Sequence, residues 1–353
     1  MMNTTPRNIG IDALRVFSIA MVIFGHAGTF DGSALLSIWR MPLFFILSGF
    51  FLVPHGRSLR FETARRWETL VIPYLVWSLV ITLVVIVVKW SEPAELLHHL
   101  HTGWRGGTGR SIFWMSAWFL LTLAISAVTL RFLERFPRWV AWAVGIGSLA
   151  LSRLFVYLQH ADILDAHPFA ALPLRLGISL PVIFYLLIGQ EIRSRVMPLI
   201  SELSVTRATS IGVVLIIAPL FLAHYFSIPA HYIHAGRFGW PFITPAIAIS
   251  VTVGFIMIFS TGVHRMLNRW EFAARFVGRL VRTGSTVVLA HGLILLYLYS
   301  VGLDGSSVST VLLRFGITLV ATFAAGVLIN MTPAARMLSG VPRERPLRIT
   351  IAA

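Results

Sequence analysis

The chain has 353 residues, 57% hydrophobic and 12% charged, with a mean hydropathy of +0.81, which excludes an ordinary water-soluble domain and points to a polytopic membrane protein. Its net charge of +15 would suit a nucleic-acid binder, but the basic residues fall between apolar runs of membrane-spanning length, so they read as topology signals and no nucleic-acid partner is expected. The absence of cysteine excludes disulfides, a thiolate nucleophile and an iron–sulfur cluster.

The first apolar run, about residues 11–30, contains Asp12, Arg15 and His26. An ionisable group near the centre of a spanning helix costs roughly 2.5–3.5 kcal/mol on insertion scales, so each needs a reason to be there. Eleven residues at about 100° each bring Arg15 and His26 to one helix face, about 16 Å apart along the axis. Asp12, three residues before Arg15, is close enough to neutralise it. One reading is structural: an arginine paired with Asp12 and a histidine bonded to a neighbouring helix. The other is functional, with His26 as a general base toward a hydroxyl, since its ordinary pKa lies near the working pH. These polar residues, preceded only by Arg7, also argue against a cleaved signal peptide.

A second run, about 36–53, holds Met41-Pro42-Leu43-Phe44-Phe45-Ile46-Leu47-Ser48-Gly49-Phe50. Small Ser48 and Gly49 would allow close helix contact. The basic loop that follows, with Arg57, Arg60, Arg65 and Arg66, precedes Ile72-Pro73-Tyr74. Arg65 and Arg66, with Arg60 nearby, could hold phosphates, or the four arginines could simply mark the cytoplasmic side.

Further runs lie at about 70–88, 112–130, 139–157, 172–190, 209–226, 241–262, 285–301 and 308–330. The expected fold is therefore an all-α, polytopic membrane bundle of about ten transmembrane helices. It forms a single domain, 1–353, with a helical core at about 8–330 and a short basic tail, 332–353, too short to fold alone. Arginines concentrate on alternate connections, including 131–138, 193–207 and 265–282, whereas the opposite connections and their edges hold only scattered ones such as Arg40, Arg105, Arg110 and Arg237. This places both termini in the cytoplasm. The outward connections instead carry His98, His99, His101, His160, His167, His231 and His234 with Trp104, Tyr232 and Trp240. They suit either interfacial anchors or a sugar-binding rim.

Arg15 followed by His26, then Phe44 to Phe50, Arg65-Arg66, Ile72-Pro73-Tyr74, Trp118-Phe119-Leu120, Phe184 to Gly189 and Leu289-Ala290-His291 follow in the order seen in the acyltransferase-3 family. The chain resembles that family over about residues 8 to 330. The resemblance implies a bacterial inner-membrane O-acyltransferase that moves an acyl group, usually acetyl from acetyl-CoA, to a carbohydrate or lipid-linked carbohydrate hydroxyl. It implies Arg15 and His26 as the essential pair, with Arg60, Arg65, Arg66, Ser48, Trp118 and His291 as donor- or substrate-binding candidates and Asp12 as support for Arg15. Two departures stand out: Ser116 and Ala117 replace a histidine that some relatives carry before Trp118, and His291 precedes Gly292 rather than proline. From the residues alone, His291 reads as a core histidine held by a neighbouring helix.

The expected mechanism is direct transfer: acyl-CoA docks its phosphates on the cytoplasmic arginines, and His26 deprotonates a sugar hydroxyl that attacks the thioester while Arg15 positions the donor. No metal or permanently bound cofactor is expected. Partners would be the acyl-CoA, the carbohydrate acceptor, membrane lipids and a polysaccharide-synthesis complex. Transport or flipping of a lipid-linked sugar or an amphipathic metabolite is the alternative: buried Arg15, Arg153, Arg175 and Arg314 would suit a polar conduit, but the repeated broken helices in matching halves that would favour it are not seen in the sequence. A noncatalytic scaffold would leave Arg15 and His26 without a purpose.

Overall fold

The computed structural model describes residues 8–29, 32–53, 57–107 and 112–344, so Arg7, Arg110, Arg345 and Arg348 lie outside the described residues. In chain order the helices are α1 (Ile9–His26), α2 (Ser33–Phe50), α3 (Leu59–Lys89), α4 (Pro93–Trp104), α5 (Ala117–Leu133) and α6 (Arg138–His160). They continue with α7 (Pro173–Ser201), α8 (Val205–Tyr225), α9 (Ile243–Asn268), α10 (Glu271–Val281), α11 (Gly284–Ser300) and α12 (Val308–Met331). Among the described residues, eight helices are long and apolar enough to cross a membrane: α1, α2, α3, α6, α7, α8, α9 and α12. The bent pair α10 and α11, meeting at 69°, makes a ninth if taken as one span, and α5 is a shorter apolar helix. A helix thus occupies each of the ten apolar runs, and the fold is a polytopic helical membrane bundle.

Close backbone approach fixes the centre of the bundle. A Cβ added at Gly49 on α2 would overlap the Leu186 carbonyl on α7, and one at Gly189 on α7 would overlap the Ile46 carbonyl on α2. Lipid supplies no hydrophobic force between helices, so this reciprocal contact of small residues is what lets the two backbones meet. The reading of Gly49 as a helix-contact residue holds, and the same contact accounts for Gly189 at the end of the Phe184–Gly189 segment. Ser48 beside it bonds within its own helix, donating to the Phe44 carbonyl at 2.9 Å.

The start of α1 is held from both sides. The Asn8 carboxamide oxygen accepts from the Ile11 amide at 3.2 Å while its Nδ2 donates to the Ser260 carbonyl at 3.0 Å, so one side chain caps α1 and ties it to α9. That carbonyl belongs to a π-helical turn, Phe259–Val263. Two more such turns, Trp67–Val71 and Ile192–Val196, interrupt α3 and α7. Such turns are frequent at functional sites, and the first of them borders a cavity described below.

Two segments differ from the sequence reading. Residues 271–281, expected as part of a basic connection, form α10, whose Phe272 and Phe276 are exposed while Arg275 and Arg279 alternate with them. This is the pattern of an amphipathic helix in the membrane interface, too short and too charged to register as a span. The start of the tail is also folded. Trp77 donates to the Leu338 carbonyl at 3.0 Å, Arg336 pairs with Glu68 at 2.8 Å, and Gly340, at φ +68°, seats against the Thr69 carbonyl. Residues 332–344 have no core of their own and borrow one from α3 and α11.

Replacing Gly49 with valine should destabilise the protein by about 1–3 kcal/mol through backbone overlap, whereas Ser48→Ala should leave stability nearly unchanged. Thermal unfolding of the detergent-solubilised protein checks both.

Candidate functional site

At one end of the bundle a cavity of about 470 Å³ is lined by His26, Arg40, Ser116, Trp118, Tyr232 and His234, among others. His26 closes α1, and His291 faces it from α11. The two imidazoles lie nearly parallel, 7° apart, with Nδ1 of His26 3.0 Å from Nε2 of His291. His291 Nδ1 is 3.1 Å from the Val287 carbonyl, which can only accept, so that nitrogen carries the proton. Nε2 of His291 is then an acceptor. It receives the His26 Nδ1–H, and the Ser116 hydroxyl stands 3.2 Å away as a second donor. The chain of bonds leaves Nε2 of His26 with its lone pair available, the tautomer that a general base requires.

His291 is a buried histidine bonded both within its own helix, through the Val287 carbonyl, and to a neighbouring one, as the hydrogen-bond partner of His26. The residue spacing carried no sign of that contact, because the pair lies 265 positions apart. Ser116, noted only as a departure from the family pattern, belongs to the same network. Trp118 is buried at the cavity wall with its ring 6.2 Å from that of His234.

The histidines expected on the outward connections divide. His231 is structural: its Nδ1 donates to the Ile38 carbonyl and its Nε2 accepts from the Tyr185 hydroxyl, both at 2.7 Å. Tyr232 and His234 contribute to the cavity lining. Of the arginines proposed for a conduit, Arg314 lines the His26 cavity and Arg15 a separate one described below, rather than one shared path. Arg175 donates to the Gly106, Gly107, Ala170 and His234 carbonyls, Arg314 donates to those of Leu303 and Gly305, and Arg153 is exposed. Among the described residues one bent helix pair is found, without a counterpart in the other half, which gives transport no further support.

Toward the opposite end of α1 a second cavity, of about 370 Å³, brings together Arg15, Ser48, Arg57, Arg65, Arg66 and Arg282. Four of the sequence candidates therefore meet in one place. Arg15 is half-exposed, 3.9 Å from the buried Asp12 carboxylate and 4.8 Å over the Phe51 ring. Arg66 is tied to buried Glu62 at 2.6 Å. Arg60 is exposed and lies outside the lining, while Arg57 and Arg282 complete it. Arg15 and His26 thus share a helix face but open to different cavities. Phe44 lines both, its ring edge-on to Phe119 at 4.4 Å, so this aromatic pair stands between them.

A family profile, acyltransferase-3, described as an acyltransferase domain, matches residues 8–331. The chain belongs to this family and is an integral membrane acyltransferase. Comparison with curated proteins and with solved structures gives no match.

Two cavity-end histidines set a pH dependence. Burial depresses His231 to about 4, and burial together with the charges of Arg175 and Arg40 depresses His234 to about 4. The unfolded chain takes up these protons near pH 6.5, so the stabilisation is complete above about 6.5 and is lost as pH falls toward 4. Thermal unfolding midpoints should drop over that window, and His231→Gln should flatten the drop while lowering stability at neutral pH.

Proposed function

We propose that this protein is an acetyl-CoA-dependent O-acetyltransferase acting on a sugar hydroxyl of an exopolysaccharide, lipopolysaccharide or lipid-linked precursor in the bacterial inner membrane. One observation carries the reading: an arginine-lined cavity and a histidine-lined cavity lie toward the two ends of one helix and share Phe44 in their linings. The first suits the phosphates of coenzyme A, since guanidinium groups bind phosphate oxygens in pairs. The second suits a neutral, hydroxyl-rich acceptor, with Trp118, Tyr232 and His234 around a base.

In this reading both termini are cytoplasmic and the arginine cavity faces the cytoplasm. Arg15, Arg57, Arg65 and Arg66 hold the donor phosphates, with Ser48 at the cavity wall and exposed Arg60 attracting the anion from outside. The thioester arm passes Phe44 toward His26. Arg15 acts on the donor phosphates, about 16 Å along the helix from the base, rather than on the reacting carbonyl. His26 Nε2 takes the proton of the sugar hydroxyl, whose oxygen attacks the thioester carbon. The carbon–sulfur bond then breaks and the proton passes to the departing thiolate. His291 keeps His26 in the reactive tautomer, and Ser116 supports His291. A polysaccharide-synthesis complex would supply or receive the acceptor.

The test is acyl transfer from labelled acetyl-CoA to cell-envelope carbohydrate in membranes holding native or variant protein at matched abundance. His26→Ala should lower transfer by about 10²–10⁴-fold. Arg65→Gln should raise the KM for acetyl-CoA about tenfold with kcat little changed, as expected for lost donor binding. No label in carbohydrate from the native protein across several acyl donors and acceptors would refute the reading.

A further inference from the structure

The second helix places an arginine where a membrane protein can least accommodate one. Arg40 lines the His26 cavity, and its Nε and Nη1 atoms are sealed from solvent without a hydrogen-bond partner. Other deeply placed arginines have partners for the rest of the guanidinium even where one Nε is left unpaired, as in Arg131 and Arg314: Arg66 has Glu62, Arg131 has Glu134, and Arg175 and Arg314 have backbone carbonyls. Among the described residues no carboxylate pairs with Arg40.

The guanidinium sits against α1. A Cβ at Gly25 would overlap its Nη1 and Cζ, so the missing side chain at position 25 is the space that Arg40 occupies. Gly25 precedes His26, which brings an unpaired cation alongside the base. Buried donors without acceptors are destabilising, and an arginine cannot escape by losing its proton. A site that tolerates this is prepared for an anion that arrives later.

Two anions are available: a permanent one on the acceptor, or the transient one formed in acyl transfer. Asp304 lines the same cavity, so a permanently anionic sugar would face a carboxylate as well as Arg40. A charge that appears only beside His26 avoids that conflict. We propose that Arg40 is a catalytic residue that holds the negative charge developing on the thioester carbonyl oxygen. As the hydroxyl oxygen bonds to the carbonyl carbon and its proton moves to His26 Nε2, the carbon–oxygen π electrons become an oxyanion facing the Arg40 N–H donors. Collapse of that intermediate re-forms the carbonyl, expels the coenzyme A thiolate and returns the proton from His26 to sulfur. Donors fixed in a dry site need no reorganisation when charge appears, which makes such stabilisation effective. This inference rests on the acyl-transfer reading above.

The test uses full-length protein in membranes, labelled acetyl-CoA and envelope carbohydrate over a range of both concentrations. Arg40→Gln should lower kcat about 10²–10³-fold while both KM values stay within about threefold. A raised acceptor KM with kcat preserved would overturn the proposal and make Arg40 a binding residue. Loss of a buried side chain can also harm the fold, so Arg40→Ala is assayed with methylguanidinium. Rescue of at least about tenfold, absent in His26→Ala under the same conditions, supports charge stabilisation, and no rescue overturns it. Absence of product from the native protein would overturn acyl transfer itself, whereas native activity that survives unchanged in Arg40→Gln would overturn this inference alone.

Discussion

The hydrogen bond between His26 and His291 connects the first membrane helix to α11, and the rest of the candidate site depends on it. Its direction is set remotely, because the Val287 carbonyl can only accept and so decides which nitrogen of His291 carries a proton. From that follows the tautomer of His26, and from the tautomer a free lone pair. An imidazole left to rotate in a polar cavity would sample both tautomers and several orientations. Here two helices and a serine hydroxyl hold it in one.

Separation of charge is the second organising constraint. A bilayer penalises ionisable groups unless protein partners or a cavity receive them, and the two ends of α1 meet that demand differently. At one end the arginines greatly outnumber the carboxylates around the cavity, as an anion-binding site requires. At the other, imidazole, indole and hydroxyl groups surround the unpaired Arg40, with Asp304 and the carbonyl-bonded Arg314 in the same lining. Phe44, packed edge-on against Phe119, belongs to the lining of both cavities.

Much of this architecture is legible in the chain because hydropathy and helical periodicity are local properties. Ten apolar runs became helices, and the shared face of Arg15 and His26 follows from an eleven-residue spacing. The gathering of Arg15, Ser48, Arg65 and Arg66 was also within reach, through order of motifs rather than spacing. Lateral contacts were not. His291 and Ser116 meet His26 only when α5 and α11 pack beside α1, and no local pattern records that. Arg40 was counted with the topology charges at a span edge, although its side chain turns inward against Gly25. The α10 helix escaped because its apolar and basic residues alternate by face, and the tail because its stability comes from other helices.

On the proposed mechanism one donor molecule bridges both cavities. The most direct measurement is a cryo-electron microscopy structure of the protein with a non-transferable acetyl-CoA analogue in which the thioester sulfur is replaced. Phosphate density is expected among Arg15, Arg57, Arg65 and Arg66, with the arm passing Phe44 and the acyl carbonyl between His26 and Arg40. Analogue bound wholly at the histidine end, with the arginine cavity empty, would contradict it.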